Sequence, residues 1–122
     1  MLPARVMAAP MAEAPRRGEL WLVDLGDPIG HEAASHRPAL VVSDDPANRH
    51  GLVTLCPITR SKRGYPTRVE IVPGASGLDE TSYVQGEQPR TLSTARLVHR
   101  LGRADITVLS EVGRVLRLLL RL

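Results

Sequence analysis

Asp105-Ile106-Thr107-Val108-Leu109-Ser110-Glu111-Val112-Gly113-Arg114-Val115-Leu116-Arg117-Leu118-Leu119-Leu120-Arg121-Leu122 closes the chain, and its period decides the fold. Val108, Leu109, Val112, Val115, Leu116 and Leu119 recur at three- and four-residue spacing, which draws one apolar stripe down a helix. Asp105 is the expected N-cap. Gly113 weakens the interior by about 1 kcal/mol relative to alanine. Arg114, Arg117 and Arg121 crowd the last turns, where positive charge suits the helix dipole. Leu118, Leu120 and Leu122 lie partly off the stripe. That is more apolar surface than one core contact uses, so a subunit contact is expected as well.

Upstream of this helix the period is that of strands. Glu19 to Asp24 is a short β-compatible run closed by Leu25-Gly26-Asp27-Pro28. Pro38 to Ser43, Leu52 to Ile58, and Thr67 to Val72 read as the next three strands, the last alternating polar with apolar so that one face is buried and one wet. Asp44-Asp45-Pro46-Ala47-Asn48 and Pro73-Gly74-Ala75-Ser76-Gly77 are breaks. Ser82 to Gln88 reads as a fifth, more polar strand, Ser93 to Leu97 as one helical turn, and Val98 to Gly102 as a last short strand. Five or six short strands with one terminal helix predict a mainly β fold, a small and strongly curved sheet or barrel closed by a helix.

Length and composition set the outer limits. A chain of 122 residues makes one domain, and such a domain buries roughly two-thirds of its unfolded surface. Lys and Arg outnumber Asp and Glu by 16 to 13, Lys62 being the single lysine, which favours an anionic partner over a cationic one. Phe is absent and Trp21, Tyr65 and Tyr83 are the only aromatics, which argues against a base-stacking sheet of the RNA-recognition-motif kind. Cys56 is alone, so no intrachain disulfide forms and an oxidising compartment is not implied. No apolar stretch has the length of a membrane span. Residues 1–15, broken by Pro3, Pro10 and Pro15, are expected to be a disordered tail, leaving 16–122 as the domain.

Three places could carry chemistry. Arg37-Pro38 follows the polar loop Gly30-His31-Glu32-Ala33-Ala34-Ser35-His36 and precedes the apolar run Ala39 to Val42. Proline fixes its own φ and pushes the preceding residue into extended conformation, so Arg37 leaves the loop in a defined direction. A rigid guanidinium beside a carboxylate and imidazoles suits phosphate recognition; a loop arginine before a strand-opening proline is the plainer reading. Thr59 stands at the end of a strand, just before Arg60-Ser61-Lys62-Arg63-Gly64-Tyr65, where cations beside one ring suit a backbone phosphate and a stacked base. The alternative there is a solvated hairpin loop. Gln85 to Thr91 puts polar residues where a strand is half buried, so they either support the fold through hydrogen bonds or floor a cleft. His and Cys do not fall at zinc-site spacing, so no metal site is expected.

The order of these segments resembles the MazF/PemK family of toxin endoribonucleases from toxin–antitoxin pairs. The matching pieces are Arg16-Arg17-Gly18-Glu19-Leu20-Trp21-Leu22-Val23-Asp24-Leu25, Gly30-x-Glu32, Arg37 to Val42 and Ser43-Asp44-Asp45-x-x-Asn48. They continue with Pro57-Ile58-Thr59, Gly77-Leu78, Glu87-Gln88-x-Arg90-Thr91, Arg96-Leu97 and Leu101-Gly102-Arg103. The resemblance implies an antiparallel barrel of the CcdB/PemK plasmid-toxin type, similar to a Src-homology-three barrel, in a cytoplasmic homodimer. It implies metal-independent, cofactor-free cleavage of single-stranded RNA, in which the 2′-hydroxyl attacks the adjacent phosphate and leaves a 2′,3′-cyclic phosphate and a 5′-hydroxyl. By position, Arg37 and Thr59 match the catalytic pair, Glu32 the glutamate of the first loop, and Gln88 a residue lining the RNA groove. Arg60, Lys62, Arg63 and Tyr65 are the expected further RNA contacts, and an acidic antitoxin is the expected partner.

Two positions depart from the family pattern. His31 replaces a residue that is usually small, and as a group that titrates near neutrality it is a candidate for proton transfer. Pro89 replaces a β-branched residue and removes a backbone donor where a strand is expected. These departures keep open a weakened homologue that binds RNA or antitoxin without cutting. A gyrase poison of the CcdB type is the third reading, disfavoured because the chain ends Leu119-Leu120-Arg121-Leu122 and carries Trp21 near its start.

Overall fold

Alternating and continuous apolar runs form strands where neighbours cover them, and among the described residues seven do. They are β1 (Glu19–Asp24), β2 (His36–Val41), β3 (Leu52–Thr59), β4 (Arg68–Ile71), β5 (Ser82–Gln85), β6 (Arg90–Ser93) and β7 (Leu97–Arg103). Among the described residues a four-residue helix α1 (Asp45–Asn48), a 3-10 turn (Thr94–Arg96) and the terminal helix α2 (Ile106–Leu120) accompany them. The computed structural model describes residues 14–27, 29–32 and 35–122. All but the last two residues of the expected tail therefore lie outside the described residues, as do Ala33 and Ala34 of the first loop.

All pairings among the described residues are antiparallel; six strands follow the path β4-β5-β3-β2-β1-β7, and β6 pairs with β3 off that path. Strand β3 has eight residues and divides one edge between two partners: Leu52 to Leu55 pair with β6, Ile58 and Thr59 with β5. Among the described residues no pairing joins β4 to β7, so the sheet is a curled, barrel-like layer with an open seam. Two register shifts in the β1–β7 ladder add to the curl.

The registers sort side chains into rows that alternate between faces. Leu20, Leu40 and Cys56 form one row, and Leu22, Pro38, Ile58, Val84 and Val69 lie on the same face. On this face Leu20, Leu40, Cys56, Ile58, Val69 and Val84 join Val112 and Val115 of α2 in the larger core. The opposite face carries Val23, Ala39, Val41, Val53, Leu55 and Leu92 in a second core, capped by Trp21 and Leu97. Strands β1 to β3 are thus buried on both sides, which is why they read as continuous apolar runs.

Several boundaries differ from expectation for physical reasons. The strand expected over Ser82 to Gln88 ends at Gln85; a turn follows and β6 resumes along the same edge of β3. Pro89 sits in that turn and takes no donor from a ladder. Strand β2 starts at His36 and stops at Val41, because Val42 and Ser43 both donate their N–H to Thr54 O at a bend. On α2 the Asp105 carboxylate accepts the Val108 N–H at 2.9 Å, as its N-cap reading requires. Leu119, assigned to the buried stripe, is 43% exposed, whereas Val112 and Val115 are buried.

Close backbone approaches hold the open end together. A Cβ on Gly77 would lie 2.1 Å from Leu101 O, and one on Gly102 2.3 Å from Ala75 O, so only glycines let the 74–77 turn seat on β7. Asn48 does similar work at the start of the domain. It is buried, donates to Pro15 O at 3.0 Å and to Ser43 O at 3.2 Å, and accepts the Ser43 hydroxyl.

Candidate active site

Arg37 lies in β2, where it pairs with Val23, while Thr59 ends β3, where it pairs with Tyr83. The β2–β3 ladder runs Val41↔Leu55, Leu40↔Cys56 and Ala39↔Pro57. Continued by two residues in each strand, that register sets Arg37 opposite Thr59 on one face. A lateral row results: Val23, Arg37, Thr59, Tyr83 and Glu70, taken in order from β1 through β2, β3 and β5 to β4. The row begins in the second core at Val23 and turns polar at Arg37, where the double burial of the sheet ends.

The Thr59 hydroxyl is oriented. Its oxygen accepts the Ser61 N–H at 3.2 Å, which occupies an acceptor lobe and leaves the hydroxyl proton as a donor. Arg37 is half-buried and engaged in the fold.

Glu32 and His31 reach the neighbourhood from the first loop. Glu32 Oε1 accepts the Ile29 N–H at 2.9 Å and its N–H donates to Ile29 O, so the carboxylate closes its own turn while remaining exposed. Gln88 Nε2 donates to the His31 carbonyl at 3.1 Å, which ties this loop to the β5–β6 turn. His31, Glu32, Gln88, Pro89 and Arg90 line an open cleft of about 440 Å³. A second cleft of about 180 Å³ includes Thr59 and Arg60, with Pro38, Ile58 and the 77–80 segment. The site residues are therefore not gathered in one depression: Thr59 lines one, Glu32, His31 and Gln88 line the other, and Arg37 lines neither.

The β3–β4 loop holds the remaining candidates. Arg60 forms an exposed ion pair with Glu80 at 3.4 Å, a contact easily exchanged for another anion. Lys62, Arg63 and Tyr65 are exposed, and Arg63 Nε donates to Ser61 Oγ at 3.2 Å. Tyr65, expected to offer its ring to a base, already carries the Arg68 guanidinium 4.5 Å over its centroid.

Arg68 is the residue the sequence reading missed. The alternation of its strand places it on the wet face, yet its side chain is only 8% exposed. Its Nε and Nη2 both lie 3.0 Å from Glu87 Oε2, and its Nη1 donates to Ser61 O at 2.7 Å. Thr67 donates to the other Glu87 oxygen at 2.9 Å. The one available signal was the spacing Tyr65-x-x-Arg68 with an acidic residue in the polar run Gln85 to Thr91. That run proves to be both expected things: Glu87 is a hydrogen-bonded support, and Gln88 borders a cleft. Beside Arg68 in the β4–β5 ladder, Gln85 is buried with no partner for its Oε1.

Cys56 belongs to the core and not to the site. Burial, reinforced by the Glu87 carboxylate, pushes its thiol up to about 12, so it stays neutral and unreactive in the fold. Among the described residues no cluster of three His, Cys, Asp or Glu side chains is poised to hold a metal ion, and no helix is long and apolar enough to cross a membrane.

Comparison with known proteins identifies the family and its fold. The chain is 38% identical over 110 residues to the endoribonuclease MazF9 of Mycobacterium tuberculosis, covering 84% of this chain and 93% of that protein. It is 30% identical to the endoribonuclease EndoA of Bacillus subtilis, over 88% of this chain and 95% of the relative. Among solved structures, MazF from Deinococcus radiodurans superposes with a TM-score of 0.79 at 33% identity, covering 89% of this chain and 98% of that one. A mycobacterial endoribonuclease in complex with its cognate antitoxin gives 0.72 at 29% identity, covering 90% and 96%. Residues 16–120 match the family of PemK-like, MazF-like toxins of type II toxin–antitoxin systems, and the chain belongs to that family.

Proposed function

We propose that this toxin is an endoribonuclease whose reacting phosphate sits between Arg37 and Thr59. The single observation that carries the reading is the β2–β3 register, which sets a guanidinium and a donor hydroxyl across from each other where the apolar rows stop. The relatives named endoribonucleases supply the reaction class.

In this reaction the 2′-hydroxyl oxygen attacks phosphorus as its proton leaves, and the bond from phosphorus to the 5′-oxygen breaks as that oxygen is protonated. The products are a 2′,3′-cyclic phosphate and a 5′-hydroxyl, with no external nucleophile. Arg37 balances the charge that builds on the phosphorane, and Thr59 donates to a non-bridging oxygen. Arginine stays protonated at a pKa above about 12, so charge stabilisation suits it better than proton donation. Glu32 and His31, on the first loop, are the candidates for proton transfer. Arg60, Lys62, Arg63 and Gln88 would guide the strand on either side, and a net charge of +3 favours such an anionic ligand.

An antitoxin segment would compete for the same basic surface; complexes of this kind exist for the mycobacterial and Deinococcus relatives. A homodimer in the cytoplasm completes the reading, with exposed Leu118, Leu119, Leu120 and Leu122 on α2 as apolar surface available for a subunit contact. The reading of a non-cutting homologue loses one of its two supports, since Pro89 lies in a turn and not in a strand.

The test is incubation of the purified protein and its Arg37→Ala variant with a mixed RNA pool in chelator. Fragments ending in cyclic phosphate are expected from the first, and cleavage slower by about 100-fold or more from the second. Equal rates from two equally folded proteins would remove the mechanism, and gyrase arrest without cleavage would transfer the protein to another class.

A further inference from the structure

Four consecutive hydrogen-bonded links join the Thr59 hydroxyl to the far side of the cleft. Ser61 N–H donates to Thr59 Oγ1, and Ser61 O accepts from Arg68. Arg68 binds Glu87 through two nitrogens, and Gln88, the next residue, donates to the His31 carbonyl. The centre of this chain is unusually well held. Arg68 is nearly enclosed, lies over the Tyr65 ring, and spends its guanidinium on one backbone carbonyl and one carboxylate. Glu87 is itself fixed by Thr67, and the Gly86 N–H donates to Thr67 O at 3.0 Å. A surface charge on an ordinary loop would not be given so many partners.

We propose that Arg68 and Glu87 form a positioning lock, which sets the peptide at residues 59–61 so that the Thr59 hydroxyl presents its proton to the scissile phosphate. The inference rests on the nuclease reading above and deepens it. Neither residue touches RNA in this scheme. A guanidinium is needed because it offers a planar fork toward Glu87, a separate N–H toward Ser61 O, and a flat face to Tyr65 at once. An ammonium keeps the charge beside Glu87 and loses the rest. The same lock joins the β3–β4 loop, which bears Lys62 and Arg63, to the turn that bears Gln88, so the two segments share one anchor.

The experiment compares the full-length protein with Arg68→Lys, Glu87→Gln, Thr59→Val and the double variant Arg68→Lys/Thr59→Val. Single-turnover cleavage of an RNA oligonucleotide is read beside binding of its 2′-deoxy analogue and amide hydrogen exchange at Ser61. Arg68→Lys and Glu87→Gln are each expected to slow cleavage at least tenfold while the analogue binds within threefold of the parent. In the Thr59→Val background, Arg68→Lys is expected to cost less than threefold, because the lock acts through that hydroxyl. Ser61 exchange is expected to quicken at least tenfold in both lock variants. Unchanged Ser61 exchange overturns the lock even if the protein cuts no RNA, and multiplicative losses in the double variant overturn its action through Thr59. Quickened exchange in a parent protein that cleaves nothing overturns the nuclease reading and leaves the lock standing. Arg68→Lys keeps the buried charge beside Glu87; should it nonetheless fail to fold, Glu87→Gln alone decides through the same exchange and rate measurements.

Discussion

Replacing Thr59 by valine is the sharpest single test of the site, because the change is nearly isosteric and its cost follows from one bond. Valine keeps the branched shape between Pro57 and Tyr83, so the β3–β5 pairing at this position has no reason to move. Inside the fold the hydroxyl makes one contact, as acceptor for the Ser61 N–H at 3.2 Å. Ser61 is half-exposed, so water can take up that N–H and stability is expected to fall by less than about 1 kcal/mol. What disappears is a donor to a charged transition state. A hydrogen bond to a charged group contributes about 1.5–3 kcal/mol, which converts to a rate loss of about 10- to 150-fold. The loss should appear in kcat with KM unchanged, since the neutralised contact matters most when charge peaks on the phosphorane. Thr59→Ser retains the donor and should stay within a few-fold of the parent. The assay is single-turnover cleavage at saturating protein, with urea denaturation run beside it. A valine variant cutting within twofold of the parent, at equal stability, would refute the assignment of the hydroxyl.

Three further outcomes concern the scaffold. The Cys56 thiol is held near 12 in the fold against an ordinary 9.0, so the neutral form is favoured and stability should be full below about pH 9 and fall as pH rises toward 12, by at most about 4 kcal/mol; pH-dependent denaturation should show the slope, and Cys56→Ala should remove it. Gly102→Ala drives a methyl to 2.3 Å from Ala75 O and 2.5 Å from the Ser76 carbonyl carbon, so a loss of at least about 1–3 kcal/mol in urea denaturation is expected. Gly113→Ala, on α2, meets nothing nearer than Arg17 Nη2 at 4.0 Å and should instead raise stability by about 0.5–1 kcal/mol in the same measurement.

Much of this architecture is legible in the chain because its signals are local. The apolar runs of β1, β2 and β3 and the 3.6-residue period of α2 survive folding with boundaries displaced by a residue or two. Elements that depend on a partner were less visible. Strand β6 exists because β3 is long enough to accept a second neighbour, which no property of Arg90 to Ser93 announces. Arg68 looked solvated from alternation alone; its burial depends on Glu87, 19 residues away, and on a tyrosine ring. The Leu119 position followed the helical stripe correctly in angle but lies beyond the point where the sheet can cover it. Arg37 and Thr59 stand out from the residues around them, the family resemblance implies their catalytic roles, and their common face follows only from the register of two strands.

That register also bears on the proposed site at Arg37 and Thr59. Pairing between β2 and β3 ends at Ala39↔Pro57, although β2 runs three residues further and β3 two. Val42 N–H donates to Thr54 O, so by alternation Pro38 is a residue that would donate toward β3 at this end of the ladder, and it has no N–H; the imide nitrogen of Pro57 faces the other edge of β3. The direction of each strand is still fixed, on one side by the two-faced burial of β1 to β3 and on the other by the β5 partners of Ile58 and Thr59. Arg37 and Thr59 are thereby held at the edge of a rigid sheet without being sealed together by backbone hydrogen bonds. A functional pair needs that combination: supports stiff enough to hold its geometry without reorganisation when charge develops, and a gap that a phosphodiester can enter. Pro38, which looks like a defect in a central strand pair, is on this argument what loosens the ladder at the mouth of the sheet.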